Sequence, residues 1–267
     1  MTSTPGDAEP DDMHQRRAGS FGAAAAAYAR HRPYWADAAV DWVLAPVRDR
    51  RPVRVIDVGA GTGRLTGALA RHGAAVTAVE PDPAMLAELR RALPDATAVT
   101  GRAEDIPLPD GSADAVVAGE AAHWFDMDRA LPEFLRVLGP GGVLAGLWNT
   151  YDDSVGWVRG LDQASDGLGS ATVTRWRSEA GTAALARLGE TGLFSAVEIA
   201  EFRHGHRRTA DSMVATIATH SALLVMDGPE RERRLAKVRA YLGSRPETGA
   251  GGFIVPLVTA VVRAIRG

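Results

Sequence analysis

Between Pro52 and Trp148 the chain alternates between two hydrophobic patterns. Short β-branched and apolar runs read as strands: VRVIDVG (53–59), AAVTAVE (74–80), ATAVT (96–100), ADAVVAG (113–119) and GGVLAGLW (141–148). Between them lie segments with helical spacing of apolar positions: GRLTGALARHG (63–73), DPAMLAELRRALP (82–94) and DRALPEFLRVLGPGG (128–142). Their ends carry punctuation. Asp82 can cap a helix whose first position is Pro83, and Pro94 closes it. Gly73 and Gly139 stand where a helix C-terminus wants a left-handed residue. Strands that are apolar throughout, alternating with helices, predict an α/β fold with a parallel sheet covered on both faces.

Outside this core the pattern is looser. FGAAAAAYARHRPYWADAAVDWVLAP (21–46) predicts two helices broken at Pro33. After Trp148, residues 149–176 read as a long loop or short helices, 178–192 as a helix, and FSAVEIAEFRH (194–204) as a strand. Helices follow around 211–224 and 230–242, and a last strand lies in LVTAVVRAI (257–265), with Pro256 tolerated at its beginning. Three parts result: a flexible tail over residues 1–20, a core with N-terminal lid helices over 21–150, and over 151–267 the completion of the sheet with capping helices.

Composition narrows the function. At 267 residues, with 46% hydrophobic and 24% charged residues, the chain is globular rather than disordered. A net charge of −3 and the lack of a basic stripe with interleaved aromatics speak against nucleic acid as partner. With no cysteine, disulfides, cysteine–zinc sites and thiol nucleophiles are excluded together. Lys237 is the only lysine, so Schiff-base chemistry would rest on it alone. The polar first 20 residues are no signal peptide, and no stretch has the ~20 apolar residues of a membrane span. The expectation is a cytoplasmic protein without membrane partners, monomeric or a homodimer.

The chemistry concentrates after the first strand. In VIDVGAGTGRL, Asp57 precedes Gly59, Gly61 and Gly63 at alternate positions, and a helix begins. Glycines let backbone turn tightly and approach a ligand closely, and the first strand–helix turn of such a sheet is where ligands bind. The dinucleotide fingerprint needs a third glycine that falls at Arg64 from Gly59, or at Thr66 from Gly61. Neither register works, which disfavours a nicotinamide-dependent oxidoreductase. Glu80, at the end of the second strand, can accept bonds from both hydroxyls of a ribose.

VIDVGAGTGRL, VTAVEPDPAML, GRAEDIPLPDGSADAVVAGEAAHWF and LGPGGVLAGLWN, in this order, resemble the successive motifs of class I S-adenosylmethionine-dependent methyltransferases. They are similar in particular to the small-molecule group of ubiquinone-biosynthesis and trans-aconitate methyltransferases, strongly over residues 20–150. The resemblance implies a doubly wound, seven-stranded Rossmann-like sheet, mostly parallel with one antiparallel strand, under a substrate cap of N-terminal and inserted helices. It implies S-adenosyl-L-methionine as cofactor and an O or N atom of a small molecule as methyl acceptor, with a peptide as the alternative. It places Asp57, Gly59, Gly61 and Gly63 at the methionine part, Glu80 at the ribose, and Asp82, Met85, Ala103 and Glu104 about the adenine. Tyr28 and Arg32 match a lid helix over the cofactor carboxylate, although Arg32-Pro33-Tyr34-Trp35 departs from the family's usual continuation.

In GEAAHWFD (119–126), His123-Trp124-Phe125 match the family, while Glu120 replaces a common glutamine. Methyl transfer from a sulfonium is an in-line displacement in which alignment supplies much of the acceleration. A base is needed only for a protonated acceptor. Glu120 is therefore a candidate base or cofactor contact. His123 is a candidate general base or simply the packed start of the next helix. Trp35, Trp148, Trp157 and Trp176 suggest an aromatic acceptor wall. His204 and His206 share a strand face without a third ligand, and Asp152 and Asp153 match metal-binding carboxylates poorly, so no metal is expected.

Overall fold

The computed structural model describes residues 33–165, 192–249 and 251–267. Tyr28, Arg32, Trp176, the tail and the helix expected at 178–192 lie outside the described residues, apart from Gly192 at the end of the last.

Helix α1 (Asp37–Leu44) and a 3₁₀ turn (Ala45–Val47) lead into β1 (Val53–Val58). There follow α2 (Arg64–Arg71), β2 (Ala74–Glu80), α3 (Pro83–Ala92), β3 (Thr97–Thr100) and β4 (Ala113–Gly119). A 3₁₀ turn (Ala122–Trp124) precedes α4 (Met127–Val137), β5 (Leu138–Tyr151) and α5 (Gly156–Ala164). The chain finishes with β6 (Glu198–Thr209), α6 (Ala210–Ala218), α7 (Ser221–Leu224), α8 (Gly228–Gly243) and β7 (Gly252–Ile265).

The sheet has seven strands in the order β3-β2-β1-β4-β5-β7-β6. All neighbours from β3 to β5 pair in parallel, and β7 pairs antiparallel with both β5 and β6. This is the expected doubly wound, Rossmann-like sheet with one antiparallel strand. One apolar layer packs α1 and α2 on Val55, Ala115, Val117 and Leu147, and another packs α4 on Ile56, Val116 and Leu144. Neighbouring residues of a strand thus point into opposite layers, which is why these strands are apolar at nearly every position. A third cluster joins α5, α6 and α8 to Phe253, Val255 and Leu257 of β7. Among the described residues, no helix is long and apolar enough to cross a membrane.

Two details differ from the sequence reading. Gly73 has the left-handed φ of +83° expected after a helix, but Gly139 already belongs to β5 and the left-handed residue is Gly141 (φ +67°). Helix α4 passes into its strand at Leu138 with no glycine turn, because Leu138 is itself paired with Ala113. The last strand is also longer than its apolar run. Pro256 sits well inside β7, opposite Gly205 of β6. Its carbonyl accepts the Asp152 N–H (3.0 Å) beyond the end of β5. A strand residue's N–H and C=O point the same way, so the missing donor faces the place where β5 has turned away.

Candidate active site

Strand order reverses between β1 and β4, and ligands bind at such a point, outside the carboxyl ends of the strands. A cavity of about 240 Å³ lies there. The loop after β1 forms its floor. Gly59, Gly61 and Gly63 all have left-handed φ, of +67°, +56° and +82°. A Cβ on Gly59 would stand 2.6 Å from Ala121 Cβ, so that glycine lets two loops touch. A Cβ on Gly61 would meet no atom within 4 Å. Its backbone is bare towards open space, as a ligand cradle requires.

Two carboxylates flank the loop. Asp57, the fifth residue of β1, is fully buried and its Oδ2 accepts a hydrogen bond from Thr66 Oγ1 (2.6 Å). Its Oδ1 is buried in the cavity wall and has no hydrogen-bond partner among the described residues. Burial pushes the Asp57 carboxyl up to about 7, against the Thr66 hydrogen bond and helped by the charge of Glu80. Glu80 ends β2. Its Oε2 accepts the Gly61 N–H (2.8 Å) and its Oε1 the Asp82 N–H (2.9 Å), so one side chain fixes the glycine loop and the start of α3 together. Burial raises its pKa while these two amides oppose the shift.

The remaining expected contacts gather on the same rim. Asp82 caps α3 by accepting from Ala84 N (2.8 Å) and Met85 N (3.2 Å), with Pro83 at the first helical position as predicted. Met85 and Ala103 are buried and line the cavity with Asp82 and Glu104. Glu104 Oε1 accepts the Asp126 N–H (2.9 Å), which ties this rim to the cap of α4.

Glu120 is the only non-glycine residue with positive φ (56°) among those described. This conformation is costly for a side chain and persists where the surroundings over-determine it. Here its N–H donates to Leu147 O (2.9 Å) while Oε1 accepts the Asn149 N–H (2.7 Å), pinning the residue to β5 from both ends. Its side chain is thereby held at the cavity. His123 lies on the 3₁₀ turn, half-buried, with its ring 4.7 Å from that of Trp124. Trp124 and Phe125 line the cavity, whereas His123 is not among the lining residues.

Of the tryptophans, Trp35 lines the cavity, but Trp148 packs with Ala260 and Val262, and Trp157 stands edge-on to Phe253. Asp152 is engaged by Ser154 and Arg203 (3.0 Å). Among the described residues no three His, Cys, Asp or Glu side chains could hold a metal ion.

The sequence reading did not single out the residues at the far end of the cavity. Arg64, Asn149, Tyr151, Thr216, His220 and Leu257 line it, drawn from α2, β5, α6, the turn after α6, and β7. Asn149 organises this end. Its Nδ2 donates to Tyr34 O (3.1 Å), its Oδ1 accepts from Thr259 Oγ1 (2.6 Å), and Thr259 Oγ1 accepts the Ala36 N–H (3.2 Å). His204 Nε2 lies 3.3 Å from Asn149 Oδ1 and 3.1 Å from Thr259 Oγ1. The Thr259 proton is spent on Asn149, so both neighbours can only accept and His204 carries its proton on Nε2. This network holds Tyr34-Trp35-Ala36 against the mouth. Only the pairing of β5, β7 and β6 brings these residues together, and no local pattern announces it.

A glycine loop without the dinucleotide fingerprint, acids on β1 and β2, and an antiparallel β7 define the class I S-adenosylmethionine-dependent methyltransferases. Comparison with known proteins gives the family. Residues 56–146 match the family model described as methyltransferase domain. The chain is 39% identical over 246 residues to uncharacterized methyltransferases of Mycobacterium tuberculosis and Mycobacterium bovis, covering 92% of this chain and 95% of theirs. It belongs to this methyltransferase family. Among solved structures, a putative type II methyltransferase from Anaeromyxobacter dehalogenans matches with a TM-score of 0.60 and 26% identity, over 88% of this chain and 97% of the other. A putative methyltransferase from an antibiotic biosynthesis pathway of Anabaena variabilis shares the fold, with a TM-score of 0.60 and 22% identity, over 83% and 95%.

Proposed function

We propose that this enzyme transfers a methyl group from S-adenosyl-L-methionine to an O or N atom of a small molecule. The observation that carries the reading is Asp57 Oδ1, a buried carboxylate oxygen without a partner among the described residues, beside the bare backbone of Gly61. An unsatisfied acceptor in such a place is expensive unless a ligand completes it. The residues fit the cofactor. Asp57 would take its ammonium group, and Glu80, with a lone pair left on each oxygen, its ribose hydroxyls. Gly59, Gly61 and Gly63 would lie along the methionine part, and Asp82, Met85, Ala103 and Glu104 about the adenine. Tyr28 and Arg32 are proposed as lid contacts on the carboxylate.

When bound, the cofactor supplies an electrophilic methyl group on a sulfonium. The chain's own task is then to align the acceptor and exclude water. Trp35, Leu65, Trp124 and Phe125 form the apolar wall for this. Glu120 adds a negative charge that favours the sulfonium and can receive an acceptor proton. His220 is a second proton acceptor on the wall, while His123 would serve only through movement of the 3₁₀ turn. The far end is walled by Thr216 of α6 and by His220 of the turn after it, and this favours a small molecule over a peptide or nucleic acid.

Calorimetric titration with S-adenosylhomocysteine, with nicotinamide dinucleotides as controls, tests the reading. Low-micromolar, one-to-one binding of the thioether is expected. Preference for a dinucleotide would refute it.

A further inference from the structure

Beside the far end of the cavity three side chains form a stack, with a fourth on the same strand face. The Arg64 guanidinium lies over the Tyr34 ring (4.8 Å to its centroid), and the His206 ring stacks on Tyr34 (5.6 Å between centroids, 11° between planes). Arg208 follows His206 two residues on, on the same face of β6. That face is also the one presenting His204, which stands opposite Leu257, which in turn stands opposite Tyr151. Arg64, Tyr151 and Leu257 line the cavity, so the stack flanks its mouth. Tyr34 is fixed from behind by Asn149.

Two arginines and a histidine are thus brought together where their charges oppose one another. Burial, together with Arg208 and Arg64, pushes the His206 imidazole down to about 4. Burial also lowers the basicity of Arg208, with Tyr151 and Tyr34 opposing the shift and Arg64 adding to it. Arg64, His206 and Arg208 are half-buried and Tyr34 is exposed, on elements far apart in the sequence. Guanidinium groups are suited to hold the planar or tetrahedral oxygens of an anion.

We propose that Arg64 and Arg208, beside Tyr34 and His206, form an anion subsite, and that the methyl acceptor carries a carboxylate or phosphate group anchored there. The anion is the handle by which the acceptor is oriented, distinct from the atom that receives the methyl group. Neutral His206 can donate one hydrogen bond to it, and the two arginines supply the charge. This inference rests on the methyltransferase reading, because it names the acceptor chemistry of the same cavity.

The test is calorimetric titration of the full chain, alone and saturated with S-adenosylhomocysteine, with malonate and with inorganic phosphate at constant ionic strength. Saturable one-to-one binding of at least one anion is expected, weakened about tenfold or more by Arg208→Gln and by Arg64→Gln, as loss of a charge-assisted bond implies. Arg208→Lys, which keeps the charge, should stay within about threefold of the wild type, and it also carries the test if Arg208→Gln does not fold. S-adenosylhomocysteine affinity should change less than about threefold in both Arg208 variants. Malonate binding points to a carboxylate handle and phosphate binding to a phosphorylated acceptor. Absence of saturable binding, or binding equal in wild type and both glutamine variants, overturns the subsite. An Arg64→Gln variant that loses the thioether while Arg208→Gln changes neither ligand would assign Arg64 to the cofactor and also overturn it. Failure of the wild type to bind the thioether would bring down the methyltransferase reading itself.

Discussion

At neutral pH the buried carboxyl of Asp57 stands near the middle of its titration, and an ammonium group placed against it would return it to the anion. In the ligand-free chain the folded state holds this proton more tightly than the unfolded state does, so the Asp57 contribution to stability is greatest below pH ~4. It is lost as pH rises to about 7, by about 4 kcal/mol over that interval. Asp57→Asn should remove this slope, read as the wild-type minus variant difference in denaturation midpoint at several pH values. The same variant should bind S-adenosylhomocysteine at least about tenfold more weakly. Thioether binding to the wild type near pH 6.5 should also release a fraction of a proton, seen as a calorimetric enthalpy that changes with the buffer. Glu80 behaves differently, because its carboxylate holds the Gly61 and Asp82 amides. Glu80→Ala should abolish thioether binding and lower the melting temperature as well. His123→Ala should leave binding intact and lower only turnover, and a variant with unchanged turnover would remove His123 from the mechanism.

At the level of the element, the loop after β1 contains two glycines with separable duties. Gly59→Ala would press a methyl group into Ala121 on top of an unfavourable φ, a loss of about 2–4 kcal/mol in unfolding free energy. Gly61→Ala carries only the backbone term, about 1–2 kcal/mol, so it should fold while its thioether affinity collapses. Chemical denaturation alongside calorimetry separates the two. This loop was legible in the sequence because its information is local: spacing of glycines, an acid before them, a helix after. Strand and helix periods, the Asp82-Pro83 start of α3 and the left-handed Gly73 were legible for the same reason. What stayed hidden depends on register between distant segments. The stack of Arg64, Tyr34 and His206 joins residues 30 to 172 positions apart, and the pinned backbone of Glu120 is set by Leu147 and Asn149 of the neighbouring strand. Pro256 misled because a proline inside a strand is normally an edge signal, and only the departure of β5 at Tyr151 makes it harmless.

For the whole molecule, β7 is the strand on which the sheet's second half depends. It pairs nine residues with β5 and twelve with β6, and it carries Phe253, Val255 and Leu257 into the core beneath α6 and α8. A chain ending before Gly252 loses the connection between β6 and the rest of the sheet. It should show neither a cooperative melting transition nor thioether binding, although every residue assigned to the cofactor is still present. Retained binding would show that the first five strands fold alone.

That last-made strand also lies between two strands made long before it. On the ribosome, β5 leaves the exit tunnel about a hundred residues ahead of its partner, with its hydrogen-bonding edge exposed for the seconds that synthesis of the intervening chain takes. Its apolar GGVLAGLW run is then an unpaired edge, which is the kind of surface that templates aggregation. The yield of soluble protein should therefore depend on translation speed and on holding chaperones more than the stability of the finished fold would suggest.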